Sequence, residues 1–129
     1  LGTTPEHVTQ LPPRHVFVFG SNTRGIHGAG AALLAVQSFG AIKGQGFGWQ
    51  GRAFAVPTKD HKLRALSLPH IVAYVRSALA FMECMPGYVF VWTKIGCGLA
   101  GYSDEEVKLH IGHLLRNTPA QVFLPAEFQ

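Results

Sequence analysis

The chain has 129 residues, enough for one domain with a sizeable core and too few for two. Hydrophobic residues make up 47% and charged residues only 14%, which excludes a disordered or coiled-coil chain and points to strands buried on both faces. A net charge of +4 suits a phosphate-bearing or polyanionic ligand, but no lysine and arginine run interleaves with aromatics, so nucleic acid has only a weak claim as primary partner.

Residues 1–14 carry three prolines and little periodicity, and read as an irregular lead-in. His15–Phe19, HVFVF, is a short buried strand ending at Gly20, followed by the polar, glycine-bearing loop Ser21–Gly30. Ala29–Phe39 predicts a small-residue helix stopped by Gly40. Gly44–Gly51, GQGFGWQG, is too glycine-rich for a regular element and reads as a mobile loop or wide turn, in which Phe47 and Trp49 suit base stacking and ordinary packing about equally. Ala53–Pro57 is a third strand ended by its proline, and Thr58–Leu66 a polar loop. Ser67 is a candidate N-cap with Pro69 just inside a helix whose apolar face is Ile71, Val75, Ala78, Leu79 and Met82. Tyr88–Trp92 is a buried strand that breaks into Gly96, Gly98 and Gly101. Ser103 and Glu106 then form a capping box for a last helix over about Asp104–Arg116, with Val107, Ile111, Leu114 and Leu115 inward, and Gln121–Leu124 closes as a strand.

Strands alternating with helices predict an α/β sandwich with a largely parallel sheet in a single domain, 1–129. No apolar run approaches a membrane span, and no secretory leader is expected. Cys84 and Cys97 lack metal-type spacing, so reduced thiols in a cytoplasmic protein are the simplest account.

Chemistry is expected at two glycine-rich strand-to-helix junctions, Gly20–Gly30 and Gly96–Gly101. In a parallel sheet both lie at strand carboxyl ends, on one edge of the fold. Glycines let a ligand approach the backbone, and unpaired N–H groups of a first helical turn favour anions. Either junction alone could be a plain turn; the pair suits a diphosphate. A literal G-x-G-x-x-G stands at Gly96, Gly98 and Gly101, but only 28 residues follow and NTPAQVF holds no acid where a dinucleotide fold needs one. No G-x-x-x-x-G-K-[ST] is present. His110 and His113 sit at i and i+3 without a third ligand, so no metal or cofactor is expected. His27, within the first loop, either touches a phosphate or ribose or is satisfied by backbone. Lys59, directly after AFAVPT, is a solvated charge on the plain reading and a nucleophile on the sharper one, which needs its amine deprotonated.

The motifs IGCGLAGYSDEEV and GSNTRGIHGAGAA resemble the two phosphate-binding loops of macro domains. The segment FAVPTKDHKLRALSLPHIVAYVRSALAFM resembles the strand, lysine loop and helix of the branch typified by terminal ADP-ribose glycohydrolase, to which IGCGL is especially similar. The resemblance covers roughly residues 15–125 and rests on the order of all three motifs. It implies a three-layer α/β/α fold with a mixed, largely parallel sheet that binds ADP-ribose or a related nucleotide diphosphate and hydrolyses ADP-ribosyl linkages on protein or nucleic acid. By resemblance Gly20, Ser21, Asn22, His27, Gly28, Ala29 and Gly30 form one ligand-binding arm, and Ile95, Gly96, Cys97, Gly98, Leu99, Ala100, Gly101 and Tyr102 the other. Asn22 would meet the distal ribose, Tyr102 would pack near it, and Lys59 would attack its anomeric carbon. Two departures stand out. Ala100 replaces the aspartate that follows GCGL in that branch, with Asp60 and Asp104 as candidate substitutes. The early strand and acidic adenine contact of macro domains have no evident counterpart. A non-catalytic reader or sequestering module is therefore the alternative reading.

Overall fold

The computed structural model describes residues 2–129, the side chain of Leu99 excepted. Its strands are β1 (Gly2–Thr3), β2 (His15–Asn22), β3 (Gly48–Gln50), β4 (Ala53–Lys59), β5 (Val89–Trp92) and β6 (Val122–Leu124). They form one sheet in the order β1-β6-β5-β2-β4-β3, parallel except where β3 runs antiparallel to β4. The helices are α1 (Gly30–Ser38), α2 (Leu68–Glu83), and α3 (Asp104–Val107), which continues through a π-helical stretch (Lys108–Gly112) into α4 (His113–Arg116).

The strand sequences build two cores because successive side chains point to opposite faces. Val16 and Val18 of β2, with Phe54 and Val56 of β4, join a core against α2 and the α3–α4 helix. Phe17 and Phe19, with Ala53 and Ala55, join a second one against Ala32, Ala35 and Phe39 of the α1 side. Helices thus cover both faces, the three-layer α/β/α arrangement, and Val16–Phe19 of β2 and Ala53–Val56 of β4 are apolar on both faces for that reason.

Strand β2 runs on to Asn22, past the Gly20 where its end was expected, and three further segments differ from expectation. The lead-in contributes a strand: Gly2 and Thr3 pair in parallel with Phe123 and Leu124, and Thr4 donates its hydroxyl to Trp92 O at 2.8 Å. The glycine-rich 44–51 stretch contains β3, held by pairing with Ala53–Ala55. Strand β4 runs two residues past Pro57, to Lys59. Pro57 has no N–H to give to β2, where the register slips between Ser21 and Asn22, and the Thr58 hydroxyl donates to Ser21 O at 3.2 Å instead.

Helix α2 starts as expected, with Ser67 Oγ accepting from His70 N at 3.3 Å. Ile71, Val75, Ala78, Leu79 and Met82 are buried, and so are Val107, Ile111 and Leu115 of the last helix, with Leu114 partly so.

Candidate functional site

The parallel strands β2, β4 and β5 all end at one edge, and a cleft of about 1350 Å³ opens there. Gly20, Ser21, Asn22, Gly28, Ala29 and Gly30 line it from one side. Ile95, Gly96, Cys97, Gly98, Ala100 and Tyr102 line it from another, and Lys59 lies between. Gly101 and His27 are not among the lining residues, and the Leu99 side chain lies outside the described residues.

The first arm is stiffened from beneath. Asn22 Oδ1 accepts from Ile26 N at 3.0 Å while its Nδ2 donates to Ile26 O at 2.7 Å, so the carboxamide folds the loop back on itself. His27 is turned inward, only 1% exposed. Its Nε2 faces two acceptors, Ile42 O at 2.9 Å and Gln50 Oε1 at 3.1 Å, and so carries the ring hydrogen; Nδ1 then accepts from Ser21 Oγ at 2.7 Å. Gln50 Oε1 also accepts from Ile42 N at 2.7 Å. The expectation of a ligand contact from His27 is therefore corrected: its imidazole is spent inside the protein, and it supports the loop. At the loop's end Ala29 offers no side-chain cap to α1, leaving first-turn N–H groups open to the cleft.

The second arm works differently. The start of α3 is closed by its own capping box, Glu106 N to Ser103 Oγ and Ser103 N to Glu106 Oε1, both 3.1 Å, and carries Asp104, Glu105 and Glu106 in its first turn. A helix start so occupied repels anions, so the expectation that its N–H groups face the ligand is corrected. What remains open is the 3₁₀ turn Gly98–Ala100, whose leading residue Cys97 gives no side-chain cap. Gly98 has a φ of +66°, and a Cβ placed there would meet nothing within 4 Å, so backbone lies bare toward the cleft. Tyr102 reaches across from this arm, donating its hydroxyl to Leu66 O at 2.5 Å.

Lys59 has no carboxylate at ion-pair distance among the described residues. Both candidate substitutes for the missing acid are engaged elsewhere. The Asp60 carboxylate accepts from the backbone N–H groups of Arg64 and Lys62 and from Arg64 Nε, and these bonds, that of the Arg64 backbone first, hold it below the usual carboxylate range. Asp104 pairs with Lys94 at 3.3 Å, which also meets Glu127 at 3.4 Å; the bond the amine donates to Asp104 leads in raising Lys94 above its ordinary value. Burial, and then a hydrogen bond to Asp104, push the Cys97 thiol up from 9.0 to about 12. That shift cuts the thiolate fraction about a thousandfold, of which greater nucleophilicity returns only part. Alkylation with iodoacetamide near neutral pH should therefore modify exposed Cys84 at least about tenfold faster than Cys97; equal rates by mass spectrometry would contradict the burial of that thiol.

Sequence reasoning missed part of the lining. The Thr3–Thr9 segment faces the cleft once β1 docks on β6, as do Lys94 and Glu127, and no local pattern marks them. Phe47 and Trp49 leave the cleft alone. Phe47 packs edge-on against Phe54 and Trp49 against Tyr88 and Phe90, so they are packing residues and no lid. Among the described residues no group of three or more His, Cys, Asp or Glu could hold a metal ion, and no helix is long and apolar enough to cross a membrane.

A six-stranded mixed sheet between helical layers, with its cleft at the strand carboxyl ends, is the macrodomain fold, and this chain has that fold. Among solved structures, the macrodomain of Mycobacterium tuberculosis DarG is similar over 96% of this chain and 95% of its own, with a TM-score of 0.61 at 15% sequence identity. No protein-family model and no curated protein sequence matches the chain.

Proposed function

We propose that the chain binds ADP-ribose or a derivative in this cleft and hydrolyses ADP-ribosyl linkages on protein or nucleic acid, with Lys59 as the reactive group. One observation carries the reading: the uncapped start of α1, the bare Gly98–Ala100 turn and Lys59 meet in a single cleft. The diphosphate would lie along the backbone of Gly28–Gly30 and of Gly96–Gly101, leaving the distal ribose between Asn22, Lys59 and Tyr102.

In the proposed reaction the neutral Lys59 amine attacks the anomeric carbon as the bond from that carbon to the carrier breaks. The carrier leaves with the bonding pair and takes up a proton. Ring opening leaves an imine between Nζ and the former anomeric carbon; water adds to it, the carbon–nitrogen bond breaks, and free ADP-ribose departs with the amine restored. The net change is one water added across the linkage.

A second reading, a non-catalytic reader or sequestering module, is favoured by Ala100 and by the commitment of Asp60 and Asp104 to other partners. Calorimetric titration with ADP-ribose, against ADP and NAD, tests both, and absence of ADP-ribose binding overturns both. Binding with turnover of ADP-ribosylated protein or DNA establishes the first. Binding without turnover, with turnover appearing in Ala100→Asp, establishes the second.

A further inference from the structure

We infer that Leu63 and Ile26 are apolar walls that grip the sugar at the Lys59 end of the cleft, and so separate ADP-ribose from ADP. Six large apolar side chains are exposed among the described residues, and of these only Ile26 and Leu63 line the cleft. They are 39% and 46% exposed, and neither belongs to either core. Ile26 stands on the first arm and Leu63 in the turn past Lys59. Those two segments are fastened together, since Thr23 N donates to Lys59 O at 3.1 Å and Arg24 Nη1 to His61 O at 3.5 Å.

Leu63 also holds a backbone conformation that does not suit it. Lys59 and Ala65 bridge antiparallel, and the chain between them turns tightly, with Asp60 N donating to Arg64 O at 2.8 Å and Leu63 N to Asp60 O at 3.0 Å. The Asp60 carboxylate braces the turn, accepting from Lys62 N at 2.8 Å and from Arg64 N at 3.0 Å. Closing the turn puts Leu63 at a φ of +63°. Glycine or asparagine enters that left-handed region at little cost, whereas the Cβ of a leucine crowds the following carbonyl. A turn built for stability alone would carry one of those two residues. The leucine strains the turn and adds nothing to either core, which marks a side chain that serves the cleft. Ile26 is held as firmly from the other side, its N–H and carbonyl both bonded to the Asn22 carboxamide.

Aliphatic walls do not serve a diphosphate, which gains nothing from apolar surface and is answered by the bare backbone of the glycine turns. A pentose offers both kinds of surface. Its hydroxyls need polar partners, but its carbon-bound hydrogens form an edge that gains by leaving water against an aliphatic side chain. The inference rests on the ADP-ribose binding proposed above, and it names the side chains that read the second sugar.

Calorimetric titrations with ADP-ribose and with ADP, beside thermal melts of the same proteins, test it. Leu63→Asn keeps the left-handed turn and removes the apolar wall, so the melting temperature should rise by about 2–5 °C. ADP-ribose binding should weaken about fivefold to tenfold while ADP binding stays within about twofold, because ADP has no second sugar. Leu63→Met, still apolar, should hold ADP-ribose affinity within about twofold with no gain in melting temperature. Ile26→Thr puts a hydroxyl where a methylene stood and should weaken ADP-ribose selectively, as Leu63→Asn does. Parent-like ADP-ribose binding by Leu63→Asn overturns the inference, and so does an equal loss for ADP. A lower melting temperature in Leu63→Asn also overturns it, since Leu63 would then be a packing residue. The two ideas part cleanly: a parent that binds ADP-ribose beside an unaffected Leu63→Asn removes the walls and leaves the proposed function, whereas a parent that fails to bind ADP-ribose removes both.

Discussion

Replacing Lys59 with alanine should lower ADP-ribosyl hydrolysis by about a thousandfold or more while leaving ADP-ribose affinity within about threefold. A thousandfold loss corresponds to about 4 kcal/mol in the barrier, which is what removing a covalent nucleophile implies and more than one exposed charge supplies. The fold should survive. Lys59 closes β4, its carbonyl accepts from Thr23 N at 3.1 Å, and its backbone bridges to Ala65, none of which needs the amine. Lys59→Arg separates charge from nucleophilicity: the guanidinium keeps the charge but cannot form the imine, so it should be as inactive as alanine. Borohydride added during turnover should trap ADP-ribose on the parent chain and on neither variant. Hydrolysis by Lys59→Ala at the parent rate would sink the covalent role outright.

The second large effect belongs to a glycine outside the cleft. A Cβ on Gly46 would stand 2.2 Å from Asn22 O and 3.1 Å from the Thr23 carbonyl carbon. Both obstacles are backbone, which cannot swing aside, so Gly46→Ala forces the 42–47 turn away from the first arm. Overpacking of this kind costs about 1–3 kcal/mol, or a melting temperature lower by roughly 5–10 °C. Because Asn22 and Ile26 hold each other, the displacement should also weaken ADP-ribose binding. Gly28→Ala makes the contrast. Its Cβ would meet nothing nearer than Ile26 Cγ2 at 3.7 Å, so the melting temperature should hold while affinity falls, the methyl projecting where the proposed ligand would lie. A Gly46→Ala protein that melts and binds like its parent would remove the coupling between the two loops.

These contacts mark where sequence reading stopped. The apolar runs at His15–Phe19 and Tyr88–Trp92, the Ser67 cap, the Ser103–Glu106 box and the five inward positions of α2 are local signals, and each stands where the pattern put it, except that β2 runs on to Asn22 and β5 starts at Val89. Strand β3 was illegible because its pairing with β4 overrides what four glycines among eight residues suggest. Strand β1 is two residues long and exists only through β6. The cleft arms could be found by their glycines, since bare backbone is written in that residue type. The inward turn of His27 could not, because its partners Ile42 and Gln50 lie 15 and 23 positions away.

The hydroxyl bond from Tyr102 to Leu66 ties the glycine turn after β5 to the far end of the lysine loop. Leu66 N in turn donates to Thr58 O at 2.9 Å, one residue before Lys59. Tyr102 thus acts as a crossbar between the arm proposed to hold phosphate and the lysine proposed to attack. The two segments should open to solvent together, as one cooperative unit in amide hydrogen exchange, and a ligand seated on either should slow exchange in both. Cutting the bar with Tyr102→Phe should split that unit in two, each half exchanging at its own rate.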